Sequence, residues 1–210
     1  MAVTRDVMTA AQLYEAERAT MLTAPESMLM DAAARAIARE CAALVPTGPV
    51  VLLVGTGNNG GDALLAGALL AGSGADGPRP VTAVLVGPTA HARGLAALTE
   101  AGGLVIAGDS AEAPDAVARA ALVVDGIVGL GGKAGLRPEA KRLVDAISPD
   151  ARVVAVDMPS GLEADSPSAD PPHVRADVTV TFTAPKRCLV EEPAAARAGR
   201  VVVADVGVSL

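Results

Sequence analysis

Three short segments hold most of the side chains that could do chemistry. The first is Gly55-Thr56-Gly57-Asn58-Asn59-Gly60-Gly61-Asp62; the second is Asp125 with the glycine-rich run around Lys133; the third is Asp157-Met158-Pro159-Ser160-Gly161. Each follows an apolar, β-branched stretch that reads as a strand: Val50–Val54, Ala121–Val124 and Val153–Val156. In open parallel sheets ligands bind beyond the carboxyl ends of the strands, so three such ends on one edge describe a site.

The first segment contains a literal GxGxxG, a pattern associated with dinucleotide binding when it follows a strand. Two features oppose the ordinary NAD reading. Such a site wants an acid after the second strand for the ribose hydroxyls, and here Val86 leads into Gly87 and Pro88. Asp62 also falls in what reads as the first turn of a helix, where its charge would repel a pyrophosphate. Asn58, Asn59 and Asp62 add oxygens that suit hydroxyls and a hard cation better than phosphate alone. The plain alternative for Asp62 is a helix N-terminal acid that complements the dipole.

Asp125 emerges from Ala-Leu-Val-Val and must be solvated, hydrogen-bonded or metal-bound. Its following loop can offer N–H groups and the Lys133 ammonium to phosphate, or be a surface loop. Pro159 holds the third turn, and Gly161 is free to take a positive φ. A carboxyl fixed there can serve in proton transfer, or Asp157 can simply stabilise its turn. Lys186 either reaches the same edge or is a solvated loop lysine. His91 and His173 lie outside the motifs, and Ser160 has no histidine placed for a nucleophilic triad.

The elements that position these segments follow from periodicity. Residues 8–44 read as two helices, the second with an apolar stripe through Met28, Leu29, Ala32, Ala33, Ala36 and Ile37. Strands are expected at Val50–Val54, Val81–Val86, Leu104–Ile106, Ala121–Val124, Val153–Val156, Val178–Phe182 and Val201–Val203. Helices are expected at Asp62–Ala71, Ala90–Ala101, around Pro114–Ala120 and near Pro138–Ile147. This alternation means an α/β fold with a mostly parallel sheet covered on both faces. Ala71–Pro80 and Asp165–Pro172 read as exposed connections, the second the most mobile by composition.

Composition bounds the function. The 210 residues suit one domain, 1–210, with 1–45 as an N-terminal helical segment packed on it. Half the residues are hydrophobic, yet Tyr14 and Phe182 are the only aromatics. That composition and a net charge of −7 argue against a nucleic-acid groove. Cys41 and Cys188 are far apart and read as buried small hydrophobes in a reducing compartment. No secretory leader or bilayer-length apolar run is seen, so a cytoplasmic protein without membrane association is expected.

Taken together, GTGNNGGD, VDGIVGLG, VAVDMPSG and ADVTVTFTAPK occur in the order found in the YjeF N-terminal domain family, the NAD(P)HX epimerases. The chain resembles that family over nearly its whole length, including Leu29-Met30-Asp31-Ala32-Ala33. The resemblance implies a Rossmann-like three-layer α/β/α sandwich and an isomerase. Its substrate would be NADHX or NADPHX, the hydrated nicotinamide nucleotides, whose R and S epimers it would interconvert for an S-specific dehydratase. By motif, Asn58, Asn59, Gly60, Gly61, Asp62, Gly129, Leu130, Gly131, Gly132, Lys133, Ala134, Gly135 and Asp157 would contact substrate. Asn59, Asp125 and Ser160 would hold a potassium ion. Family members often carry the dehydratase as a second domain, and a homodimer is expected on the same ground. Departures from the family pattern are Ala63, where glycine is usual, Gly126, where alanine is common, and Glu163, where aspartate is common after the PSG turn.

Under that reading no histidine or cysteine lies in a motif, so a carboxylate must move the proton. Asp125 is expected to be ionised on the cation, and Asp62 to be charged at its helix N-terminus. Asp157 is left as the catalytic residue, the acid most open to a tuned pKa. Two rival readings are a non-catalytic scaffold of the same fold and an ordinary NAD-dependent oxidoreductase.

Overall fold

The computed structural model describes residues 6–72 and 79–208. Seven strands form one sheet in the order β3-β2-β1-β4-β5-β6-β7, all paired in parallel. They are β1 (Val50–Val54), β2 (Val81–Leu85), β3 (Leu104–Ala107), β4 (Leu122–Gly126), β5 (Arg152–Val156), β6 (Val178–Phe182) and β7 (Arg200–Ala204). The central strands β1 and β4 are buried at every position, as continuous apolar strands covered on both faces must be.

The covering helices form two layers. On one face lie α2 (Glu26–Leu44), α3 (Asn58–Ala71) and α4 (Ala92–Glu100); on the other lie α5 (Ala113–Ala118) and α6 (Pro138–Val144). The first core gathers Ile37, Leu52, Leu64, Val124 and Val156; the second gathers Leu53, Val84, Val117, Val123 and Leu143. The expected three-layer α/β/α sandwich is therefore the observed one. Of the expected stripe of α2, Ala33, Ala36 and Ile37 are buried, joined by Met30, Ala34, Ala38 and Cys41, while Met28 is left outside at 60% exposure.

Three elements were not legible as expected. α3 begins four residues earlier than Asp62, at Asn58, so the NNGGD segment is helix rather than loop. Two single-turn helices, α7 (Arg187–Val190) and α8 (Ala195–Ala198), pack with Met158 and Leu162 in a third small cluster. Residues 165–172 are stitched down: Asp165 accepts from the Ala10 N–H at 2.9 Å, and Pro167 O accepts from Ala194 N–H at 2.9 Å. Within Ala71–Pro80, residues 73–78 lie outside the described residues. No helix among the described residues is long and apolar enough to cross a membrane.

The first helix, α1 (Ala10–Thr20), starts with a capping box in which Thr9 and Gln12 exchange hydrogen bonds. Met8 N–H then donates to Pro185 O at 3.1 Å, joining α1 to the segment after β6.

Candidate active site

The strand order reverses between β1 and β4: β1 leads outward to β2 and β3, while β4 leads to β5, β6 and β7. This is the switch point at which α/β sheets bind ligands. The first and second motifs flank it, and the third lies one strand further on.

Asp125 belongs to β4 itself, paired in register with Leu53 and Ala155, and is fully buried. Its Oδ1 accepts from the Ser160 hydroxyl at 2.6 Å and from Ile127 N–H at 3.3 Å, and its Oδ2 from Ser160 N–H at 2.8 Å. The Ser160 hydroxyl in turn accepts from Val128 N–H at 3.1 Å. Burial pushes the Asp125 carboxyl up to about 6, and the hydrogen bonds from Ser160 and Ile127 offset only part of it. None of those donors is a cationic side chain. Asn59, in the first turn of α3, has a buried Nδ2 without a hydrogen-bond partner among the described residues. The Asp125 carboxylate and the Ser160 hydroxyl supply oxygens of the kind a hard monovalent cation accepts.

Asp157 follows β5 in the left-handed region, with φ 68°, a conformation uncommon for a residue with a Cβ. Its N–H donates to Val180 O at 2.7 Å, and Gly161 takes the expected positive φ of 94°. Asp157 is only 7% exposed, and its Oδ1 accepts from the Lys186 ammonium and, at 3.3 Å, from the Thr181 hydroxyl. Lys186 is thus no solvated loop lysine: it is 2% exposed and also donates to Thr181 Oγ1 at 2.7 Å. A buried ammonium needs such a partner. With Oδ1 holding the lysine, Oδ2 points at Gly129. A Cβ at Gly129 would lie 2.8 Å from Asn59 Oδ1 and 3.1 Å from Asp157 Oδ2. Gly129 is therefore where the first and third motifs meet, and its missing side chain keeps the space between them open.

The expectation for Asp62 is corrected. It sits in the second turn of α3, 8% exposed, and its Oδ1 has no hydrogen-bond partner among the described residues. Burial first, then the charges of Asp157, Glu17 and Glu26, hold its carboxyl well above the usual range, so burial and neighbouring charges favour its protonated form. Asn58 is exposed and turned toward α2, its Nδ2 donating to Glu26 Oε1 at 2.6 Å.

The second motif divides. Gly129 faces the acids, Leu130 packs against the cluster of Met158 and Leu162, and Gly131, Gly132, Lys133, Ala134 and Gly135 line a cleft of about 1130 Å³. That cleft runs over the ends of β2 and β3 along Gly87, Pro88, Ile106 and Asp109 to Arg137 on the other side. It does not include Asp62 or Asp157. The loop after β4 separates the two spaces and borders both.

Sequence reasoning expected a helix here but missed that α1 borders the site. Tyr14 Oη lies 2.9 Å from the place a Cβ would take on Gly131. Glu17 is held above the usual carboxylate range by burial and by Asp157, with Lys186 acting the other way. The capping box marks where α1 starts, but no local pattern says that it packs over the strand ends. Two of the departures noted above, Ala63 and Gly126, explain each other. A Cβ on Gly126 would lie 2.5 Å from the Ala63 Cβ, so only one of the pair can carry a methyl group.

The chain is similar to known proteins along its length. It is 42% identical to a protein named NAD(P)H-hydrate epimerase from Clavibacter michiganensis, covering 100% of this chain and 94% of the relative. It is 45% identical to one of the same name from Clavibacter sepedonicus, covering 90% and 86%. A bifunctional NAD(P)H-hydrate repair enzyme of Mycobacterium tuberculosis is 39% identical over 93% of this chain, which spans 40% of that larger protein. The crystal structure of yeast ynu0 shares the fold, with a TM-score of 0.77 at 21% identity, over 88% of this chain and 83% of that one. The family model described as YjeF-related protein N-terminus matches residues 26–188. With the three motifs gathered at one switch point, the chain belongs to the YjeF-related N-terminal family.

Proposed function

We propose that this chain is an NAD(P)H-hydrate epimerase, an isomerase that interconverts the R and S epimers of hydrated NADH and NADPH. The observation that carries the reading is the meeting of Asn59, Gly129 and Asp157 at one point, beside the buried Asp125–Ser160 pair. The names of the relatives that match over most or all of the chain support it. An oxidoreductase reading is disfavoured because β2 runs into Gly87 and Pro88, leaving no acid there for a ribose.

In this reading the hydrated ring lies by Asp157, and the glycine loop between Gly129 and Gly135 holds phosphates through its N–H groups. The rest of the dinucleotide extends into the cleft, of a size suited to such a ligand. Potassium, held by Asn59, Asp125 and Ser160, would neutralise the buried Asp125 and fix the loop after β4. Asp157 moves the proton, with Lys186 and Thr181 setting its direction through Oδ1 and leaving Oδ2 to the substrate. A cytoplasmic homodimer working beside an S-specific dehydratase belongs to the same proposal.

The test is an assay with mixed epimers. With an S-specific dehydratase alone, the R epimer should accumulate; adding this chain should drive consumption to completion at a rate proportional to its concentration. A residual R fraction that no amount of chain removes would count against the reading. Within that assay Asp157→Asn should cut kcat by about 10²–10⁴ with little change in KM. The variant strands a buried ammonium, at a cost of about 3–5 kcal/mol, so its melting temperature must be read alongside.

A further inference from the structure

Epimerisation imposes a symmetry requirement that one carboxyl does not meet. The hydroxyl leaves one face of the ring carbon and returns to the other, so a proton must be given on one face and taken on the opposite one. Asp157 is fixed by its turn and by Lys186, and it presents one oxygen from the β5 side. A second group is needed on the far side of the β4 loop.

Asp62 comes from the β1 side of that loop and feels the charge of Asp157. It rises from α3, directly after β1, while Asp157 follows β5; β4 lies between these two strands, and its loop carries Gly129. Asp62 is more than nine-tenths buried and has an oxygen without a partner among the described residues. It caps no helix, because α3 begins at Asn58. A buried, unpartnered carboxyl contributes nothing to stability that a packed amide or apolar side chain would not exceed. The groups around it are Glu17 of α1, Glu26 of α2, Asp157, and the His91 ring, which packs on the neighbouring Gly61. Lys186 is committed to Asp157 and Thr181. Two carboxyls of unlike environment result: one paired with an ammonium, one isolated among acids. Carboxyls in unlike environments can divide the acid and base roles between them.

We propose that Asp62 is a second catalytic residue, opposing Asp157 across the substrate ring, so that each carboxyl serves one face of the hydroxyl-bearing carbon. This rests on the epimerase reading. The ring nitrogen lone pair forms a C=N bond as the C–O bond breaks, and the departing oxygen takes the Asp62 proton and leaves as water. Water then adds to the opposite face and gives a proton to Asp157. One water leaves, one enters, and one proton passes from Asp62 to Asp157. The return reaction moves it back.

Oxygen-18 water tests this with R epimer left after S-specific dehydration. Wild-type chain should place one solvent oxygen in the hydroxyl for each inversion. Asp62→Asn, of nearly the same shape, should slow inversion by about 10²–10⁴ while KM changes little. It should still exchange oxygen, without inversion, in the one epimer whose hydroxyl faces Asp157. Asp62→Glu, which restores a carboxyl, should recover part of kcat. Wild-type product without solvent oxygen overturns the proposal, since it means the C–O bond never breaks. So does a folded Asp62→Asn variant with near-normal kcat, or one that loses exchange equally in both epimers. A wild-type chain that leaves the R epimer untouched fails the epimerase reading itself; wild-type turnover with any of the other outcomes fails Asp62 alone.

Discussion

Asp125 and Asp62 are both buried carboxyls pushed upward by burial, and they differ in what could relieve them. Asp125 lies against the Ser160 hydroxyl, whose oxygen a cation could share. Potassium should therefore stabilise the fold by mass action, about 2.7 kcal/mol at a hundredfold excess over its Kd, or roughly 2–4 °C per kcal/mol in melting temperature. Asp125→Asn should abolish that dependence. A melting curve equally insensitive to potassium in wild type and variant would remove the cation from the site. Asp62 has no such relief. Its folded pKa lies above its unfolded one, so its favourable contribution exists at low pH and is lost as pH rises through the folded value. Asp62→Asn should melt close to wild type near about pH 4 and above it near about pH 8. A difference that stays flat with pH would mean that Asp62 is not held protonated.

Among the elements, the contact between α3 and the end of β4 has the least room. Ala63 and Gly126 share space for one methyl group. Gly126→Ala alone should destabilise by about 1–3 kcal/mol through overpacking. Adding Ala63→Gly should recover most of that, and denaturant unfolding of the four chains should give a favourable coupling above about 0.5 kcal/mol. Additive effects would show that the two positions do not meet. The sequence marks both residues as departures from a family pattern, yet nothing local says that they touch. Strands were legible because β1 and β4 are apolar at nearly every position, and Asp125 and Asp157 because acids at such strand ends need a reason. The start of α3 was not legible: Asn58-Asn59-Gly60-Gly61 has poor helix propensity and is held helical by docking on the sheet. Lys186 was ambiguous because its burial depends on a partner 29 residues away.

Across the whole molecule, α1 is an addition to the fold rather than part of its main cores. Only Leu13 and Thr20 of α1 are buried, and neither belongs to the two clusters that hold helices against the sheet. Yet α1 brings Tyr14 and Glu17 to the strand ends. Deleting residues 1–21 should leave far-ultraviolet circular dichroism nearly native apart from the lost helix, while turnover falls by at least about tenfold as water reaches the acids. Unfolding on deletion would instead make α1 a core element. The same helix gives the protein an optical property. Tyr14 is the single tyrosine, and the chain has no tryptophan. Ultraviolet emission excited near the tyrosine maximum therefore comes from one ring, half-exposed, at the rim of the loop after β4. Occupancy of the site becomes readable as a change in native fluorescence, without a label and without turnover, so binding can be followed even in variants that no longer react.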